Sequence, residues 1–282
     1  MKNVIITTDC VCDMSEALLE QYDVKVIYFY ITTEHGWFKD REEITSGNIV
    51  EYFERGGQAV QTKAPFPEEY EAFFERILKE GQEIIHIAVT STLSKSCENA
   101  LAAAKKFNGR VHVVDSGHLS TGMAHLVIHA VKAANAGKTS KEIIAETEAM
   151  KKRVSTSFIA ENANYLYRTG RVSKFIKNIS ETFRIHPVLG MKNGVMSVKG
   201  VRIGAYEKAV VRYVKKEMRR LSRIDKERLF ITHTKCSLRV LNAVKKQIGT
   251  QGGFKEIYDT EASATISSNC GANTIGVLYL RK

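Results

Sequence analysis

Residues 84–106, IIHIAVTSTLSKSCENALAAAKK, decide how the rest of the chain is read. A β-branched run at 84–89 empties into a loop carrying Ser91, Thr92, Ser94 and Ser96, and an alanine-rich stretch follows from Glu98. Such a change from a short apolar run to helix-forming composition predicts a strand–loop–helix unit. The first N–H groups of a helix lack intrahelical partners, and together with nearby hydroxyls they can converge on a small anion such as a carboxylate or a phosphate. Ordinary N-capping by Ser94 or Ser96 would account for the same hydroxyls without any ligand.

The same alternation extends on both sides. Apolar runs at 4–7, 24–30, 84–89 and 111–114 read as strands, and 16–21, 47–55, 68–79, 98–107 and 121–136 read as helices. The fold class expected is α/β, a parallel sheet covered by helices. Ligands of such sheets gather beyond the carboxyl ends of the strands, where Thr8, Asp9, the Ser91 to Ser96 loop and Asp115-Ser116 would lie. No GxGxxG or Walker sequence accompanies them, so a nucleotide site is not indicated. A helix at 141–152 and a strand at 157–160 lead into a different texture, which divides the chain into an α/β domain at 1–152 and an α+β domain at 153–282. In the second, Asn193-Gly194 within 187–198 predicts a hairpin closed by a type I′ turn. A helix at 206–222, a strand at 229–232, a helix at 238–248 and strands at 254–258 and 274–280 complete an antiparallel or mixed sheet with helices.

The chain has 282 residues, 44% hydrophobic and 26% charged. No apolar stretch approaches the roughly 20 residues of a membrane span, and the opening MKNVIITTDC has no secretion signal, so a cytoplasmic protein without an integral membrane segment is expected. Five scattered cysteines predict free thiols rather than a disulfide framework. Cys10 and Cys12 form only a C-x-C pair and the eight histidines show no H-E-x-x-H spacing, so no structural metal is expected.

The net charge of +11 is unevenly spread: residues 1–152 carry 17 Lys+Arg against 22 Asp+Glu, and residues 153–282 carry 25 against 9. A basic second half could meet nucleic acid, anionic lipid, a phosphorylated ligand or an acidic protein. Its densest part, Lys215, Lys216, Arg219, Arg220 and Arg223, reads as the outside of a helix whose inside is Val210, Val211, Val214, Met218 and Leu221. No aromatic platform or nucleic-acid motif accompanies it, so a basic nucleic-acid or partner-binding module is an alternative reading only.

Other polar residues admit two readings each. Asp9 and Asp13 read as caps of the first turn after strand one, with a paired-carboxylate site as the alternative. His118 can contact a ligand in the crevice or serve the loop structurally. His125 and His129 lie four apart on one helix, without an acidic or third ligand in view, and read as packing or surface residues. Ser94 or Ser96 with His118 suggests an acyl or phosphate ester hydrolase, but no G-x-S-x-G elbow supports it.

Across nearly its whole length the chain resembles the DegV family of bacterial fatty-acid-binding proteins. TTDCVCDM at 7–14 resembles the family's TDS-x-x-D-L opening, and Gln61-Thr62-Lys63-Ala64-Pro65 its T-S-Q-P-S segment. TSTLSKSCENA at 90–100 resembles S-S-x-L-S-G-T-Y-x-S-A, and Val114-Asp115-Ser116 resembles V-D-S. Tyr165-Leu-Tyr-Arg-Thr-Gly170-Arg171-Val-Ser173 resembles Y-L-x-x-G-G-R-I-S, and His186-Pro-Val-Leu189 with Gly194 resembles K-P-I-L and its glycine turn. The resemblance implies a non-enzymatic binding protein that needs no cofactor. It holds a long-chain fatty acid in the second domain, carboxylate at the interdomain crevice, while a separate ATP-binding fatty acid kinase phosphorylates the carboxylate for lipid synthesis. It further implies that Thr62 and Ser94, with the N–H of Lys95 and support from Ser96, hold the carboxylate, and that Arg171 serves productive engagement with the kinase.

The chain departs from that pattern at three places. The glycine of S-G-T is Lys95, which is expected to point to solvent, and the first glycine of G-G-R is Thr169, which is expected to restrict the loop before Arg171. Where the family reads H-x-G-P-G, the chain has Asn269-Cys270-Gly271-Ala272-Asn273. An amide at 269 can donate to a carboxylate but cannot carry a proton at neutral pH.

Overall fold

The structure, a computed structural model, describes residues 3–57, 60–78, 82–170, 172–174, 177–178, 184–251 and 253–282. The strands are β1 (Val4–Asp9), β2 (Lys25–Ile27), β3 (Tyr30–Thr33), β4 (Gly36–Lys39), β5 (Gln61–Lys63), β6 (Glu83–Ala88), β7 (Val111–Asp115), β8 (Val154–Ala160), β9 (Ile185–Lys192), β10 (Val195–Ile203), β11 (Ile224–His233), β12 (Glu256–Glu261) and β13 (Thr274–Arg281). The α-helices are α1 (Glu16–Tyr22), α2 (Ser46–Glu54), α3 (Pro67–Ile77), α4 (Ser96–Ala104), α5 (Thr121–Asn135), α6 (Ser140–Lys151), α7 (Asn164–Arg168), α8 (Tyr206–Glu217), α9 (Leu238–Gln251) and α10 (Ala264–Cys270). Two compact units result. The first holds residues 1–44, 59–154 and the hairpin tip 193–195; the second holds 45–58, 155–192 and 196–282. The changeover near 154 is accompanied by a segment, 45–58, that belongs with the second unit although it lies early in the chain.

In the first unit, β2-β1-β6-β7 form a parallel sheet. Strands buried on both faces need continuous apolar runs, which 84–89 supplies. Ile27, Ile84 and Val111 of the sheet pack with Tyr70, Phe73 and Phe74 of α3 and with Ala100 and Ala103 of α4. The small alanines let α4 approach the sheet closely, while α5, buried over most of its length, lies against β1 and β6. The expected single strand at 24–30 is instead two strands in two sheets. At Phe29 the chain turns, its N–H donating to Cys10 Sγ at 3.3 Å and its carbonyl accepting from Asp40 N–H at 2.8 Å. These bonds satisfy a buried backbone that has left the first ladder. The second sheet is antiparallel, β4-β3-β5, and places Thr62 opposite Ile31.

In the second unit, a six-stranded mixed sheet runs β10-β9-β8-β13-β11-β12. Successive residues of a strand face opposite sides, and here neighbours divide between two apolar layers. Ile159 and Val188 pack with Val210, Tyr213 and Val214 of α8 and with Leu241, Val244 and Ile248 of α9. Phe158 and Leu189 pack with Ala163, Leu166, Val172 and Cys270. The first layer explains the basic helix: Val210 and Val214 point inward as expected, Tyr213 joins them, and Lys215, Lys216 and Arg219 are exposed. The helix ends at Glu217 and continues as a 3-10 turn, Met218–Arg223. Asn193 and Gly194 adopt φ 51° and 77°, the left-handed pair that a type I′ turn requires.

Candidate functional site

Parallel pairing of β1 with β6 sets Thr7 opposite His86 and Thr8 opposite Ile87, so the carboxyl ends of the strands bring Asp9 beside Val89. Asp9 precedes a 3-10 turn, Cys10–Cys12, yet its side chain makes no capping bond there. The capping expected of Asp9 is replaced by an interior network. The fully buried carboxylate accepts the Tyr70 hydroxyl on Oδ1 at 2.7 Å, and on Oδ2 the Ser96 hydroxyl at 2.6 Å and the Val89 N–H at 2.8 Å. His86 Nε2 lies 3.3 Å from Oδ1 without hydrogen-bond alignment, and its Nδ1 is 2.9 Å from Thr7 Oγ1. Burial opposes ionisation of Asp9, but His86, Ser96 and the Val89 N–H outweigh it and hold the carboxyl below its ordinary pKa. Asp13, in a left-handed conformation at φ 54°, accepts from the Ser120 hydroxyl at 2.5 Å.

The loop between β6 and α4 does not turn all its hydroxyls to one point. Thr90 and Thr92 both donate to the Gly194 carbonyl, at 3.0 and 2.5 Å. Ser96 is buried, and its one hydroxyl proton is committed to Asp9. Ser94 is half-buried and accepts the Ser96 N–H at 3.1 Å, which leaves its own O–H as a donor. Lys95 is exposed, with φ −79° and ψ 0°, a conformation open to any side chain, so the departure from glycine carries no backbone strain. Ser91 is exposed, and its N–H donates to Asp115 Oδ2 at 3.1 Å while the Gly117 N–H donates to Oδ1 at 2.8 Å. Ser116 exchanges bonds with the backbone of His118, whose Nε2 lies 3.0 Å from the Lys151 carbonyl. Asp115, Ser116 and His118 thus shape the ends of these strands through backbone contacts. The bonds seen at the serines and histidine of the hydrolase reading are Ser96 N–H to Ser94 Oγ, the Ser96 hydroxyl to Asp9, and His118 Nε2 at 3.0 Å from the Lys151 carbonyl.

Thr62 is half-buried in the edge strand β5. The segment that follows is tied to α4 by Asn99 Nδ2, which donates to the Pro65 carbonyl at 2.7 Å. In the second unit, Asn269 lies on α10 and its amide donates to the Thr265 carbonyl at 2.8 Å, leaving a second N–H and Oδ1. Arg171 lies outside the described residues. Before it, Thr169 holds φ −92° and donates to the Tyr165 carbonyl at 3.0 Å, while Gly170 takes the left-handed turn at φ 70°. The strained position is therefore the one that kept its glycine, and the threonine serves as a side-chain brace.

Sequence reasoning missed Tyr70 and His86. His86 had a visible signal, a polar residue within an apolar strand; Tyr70 had none, since it occupies an ordinary inward position of α3. His129 does have an acidic neighbour, its Nε2 lying 3.3 Å from Glu146, across from α5 to α6, while His125 is fully buried. Among the described residues no three His, Cys, Asp or Glu are grouped to hold a metal ion. The five cysteines form no disulfide, and burial pushes Cys12 up to about 12 and Cys97 to about 11, far from the reactive thiolate range. Among the described residues no helix is long and apolar enough to cross a membrane.

The DegV family model matches residues 3–282. The chain belongs to the DegV family. A DegV domain-containing protein of Staphylococcus aureus is 25% identical over 284 residues, covering 100% of both chains. Among solved structures, a DegV family protein from Thermus thermophilus, described by its fatty acid binding, superposes with a TM-score of 0.90 at 24% identity, over 99% of this chain and 100% of its own. The Fatty Acid Kinase (Fak) B3 protein of Streptococcus pneumoniae, loaded with linoleic acid, superposes with a TM-score of 0.84 at 18% identity, over 99% and 100%. These likenesses establish the DegV fold for the chain described above.

Proposed function

We propose that this DegV protein is a cytoplasmic carrier that binds a long-chain fatty acid and presents its carboxylate to a separate fatty acid kinase, without catalysing the reaction itself. The observation that carries the reading is Ser94. At the position of the family's hydroxyl loop, it accepts the first N–H of α4 and keeps its own O–H to donate. Thr62 and the Lys95 N–H are the further groups of the first unit assigned to the carboxylate. Hydroxyl donors suit a group that must react, because they hold it without the bidentate cover an arginine provides.

The acyl chain is assigned to the second apolar layer of the C-terminal unit, around Phe158, Ala160, Leu166, Leu189 and Met196. Cys270 of α10 belongs to the same layer. Burying about 15 methylenes at ~0.8 kcal/mol each contributes about 12 kcal/mol before ordering costs, whereas a hydrogen bond to a charged group contributes ~1.5–3 kcal/mol. The tail then sets affinity and the head sets register.

Mass spectrometry of the purified protein, first native and then after organic extraction, tests the reading directly. A stoichiometric fatty acid is expected. An empty protein that also fails to take up added fatty acids refutes it.

A further inference from the structure

The ligand-facing loop at 90–95 is staked at both ends to a single atom. Val89, the residue before it, and Ser96, the residue after it, both donate to Oδ2 of Asp9, from the backbone and the side chain respectively. Ser96 in turn passes the constraint on, since its N–H is what Ser94 Oγ accepts. The other oxygen of Asp9 is held from α3 by the Tyr70 hydroxyl, which also lies 2.8 Å from Ser96 Oγ. An ionised carboxylate sequestered from water is expensive unless it is paired and fully hydrogen-bonded. An apolar contact could anchor a loop at less cost but could not fix the direction of a hydroxyl.

We propose that Asp9 is the positioning residue of the head-group site: it does not touch the ligand, but through Ser96 it fixes the rotation of Ser94 so that the Ser94 O–H meets a ligand carboxylate. The inference rests on the assignment of Ser94 as a carboxylate donor. Asparagine at position 9 keeps the volume but replaces one acceptor oxygen with an N–H₂ group facing donors, and Ser96→Ala removes the link while keeping Asp9 and the backbone N–H.

The test compares hexadecanoic acid with hexadecan-1-ol, which share a tail and differ in the head, by titration calorimetry on the full chain carrying Asp9→Asn or Ser96→Ala. Each variant is expected to lose about tenfold or more in affinity for the acid, the equivalent of one lost charge-assisted hydrogen bond, while affinity for the alcohol changes by less than about threefold. An equal loss for both ligands marks a purely structural role and overturns the proposal, as does an unchanged preference for the acid. If Asp9→Asn does not fold, Ser96→Ala decides by the same ratio. A wild-type protein that binds neither ligand refutes the fatty-acid reading itself; a wild type that prefers the acid, with variants that keep the preference, refutes only the role of Asp9.

Discussion

Replacing Thr62 by Val and Ser94 by Ala removes two hydroxyls assigned to the ligand, and the structure separates the effect on binding from the effect on folding. Ser94 Oγ, one residue before the N-cap Lys95, accepts the Ser96 N–H at 3.1 Å. Its loss costs about 0.5–1.5 kcal/mol of stability. Thr62 is half-buried in a three-residue edge strand, and valine matches its shape and strand preference, so little stability is lost there. On the ligand side, each hydroxyl donating to a carboxylate is worth about 1.5–3 kcal/mol, so each single variant should weaken binding at least about tenfold. The pair shares one ligand group, so its losses will not add fully, and about a hundredfold is expected for the double variant. The tail term of about 12 kcal/mol is untouched, so binding should weaken rather than vanish. Competition against a fluorescent fatty acid measures the affinities, and urea unfolding confirms that the variants are folded. A folded double variant with wild-type affinity refutes the head-group assignment.

Three further outcomes follow from other parts of the molecule. Tyr213 is fully buried, and its hydroxyl donates to the Ser157 carbonyl at 2.7 Å while accepting the Val277 N–H at 3.1 Å, bridging two strands of the large sheet. Tyr213→Phe orphans both groups and should cost about 1–3 kcal/mol in urea unfolding; a midpoint within error of wild type refutes the bridging role. His233 Nε2 lies 3.1 Å from Asp259, which also meets Lys245 at 2.5 Å. Burial opposes charging of His233, but the bond to Asp259 prevails and raises its pKa, and the bond from His233 holds Asp259 down at about 2. The His233 contribution is therefore present below its unfolded pKa near 6.5 and is lost as pH rises through the raised folded value; the Asp259 contribution is present above about 3.8 and is lost as pH falls toward 2. Asp259→Asn should destabilise more at pH 5.5 than at 8.5, and an equal effect at both excludes the pairing. Finally, Arg171→Ala should leave fatty acid binding intact but impair phosphorylation by a cognate kinase; normal phosphorylation removes Arg171 from that role.

The parts of this fold that can be read from sequence are those where one local period governs. The run at 84–89 and the alanine-rich helix after it announce a parallel sheet, and Asn193-Gly194 announces its hairpin because almost no other pair tolerates two left-handed residues. The antiparallel sheet escapes, because β3, β4 and β5 hold only three or four residues each and are too short for a period of two to register. Helix α10 escapes because it is buried on most sides and shows no amphipathic stripe; its one signal is Ser263, whose Oγ accepts the Ile266 N–H at 3.4 Å. The membership of α2 in the second unit is a matter of distant contacts, such as the Ser267 hydroxyl donating to Ser46 Oγ at 2.7 Å, which adjacency in the chain cannot reveal. The same limit acts within the candidate site. Composition marks the serines of the loop as equivalent, yet each has one proton to give, and Ser96 has given its proton to a carboxylate 87 residues away. Ser94 instead accepts the Ser96 N–H, and it is the pairing of β1 with β6, bringing Asp9 beside Val89, that sets two serines of one loop apart.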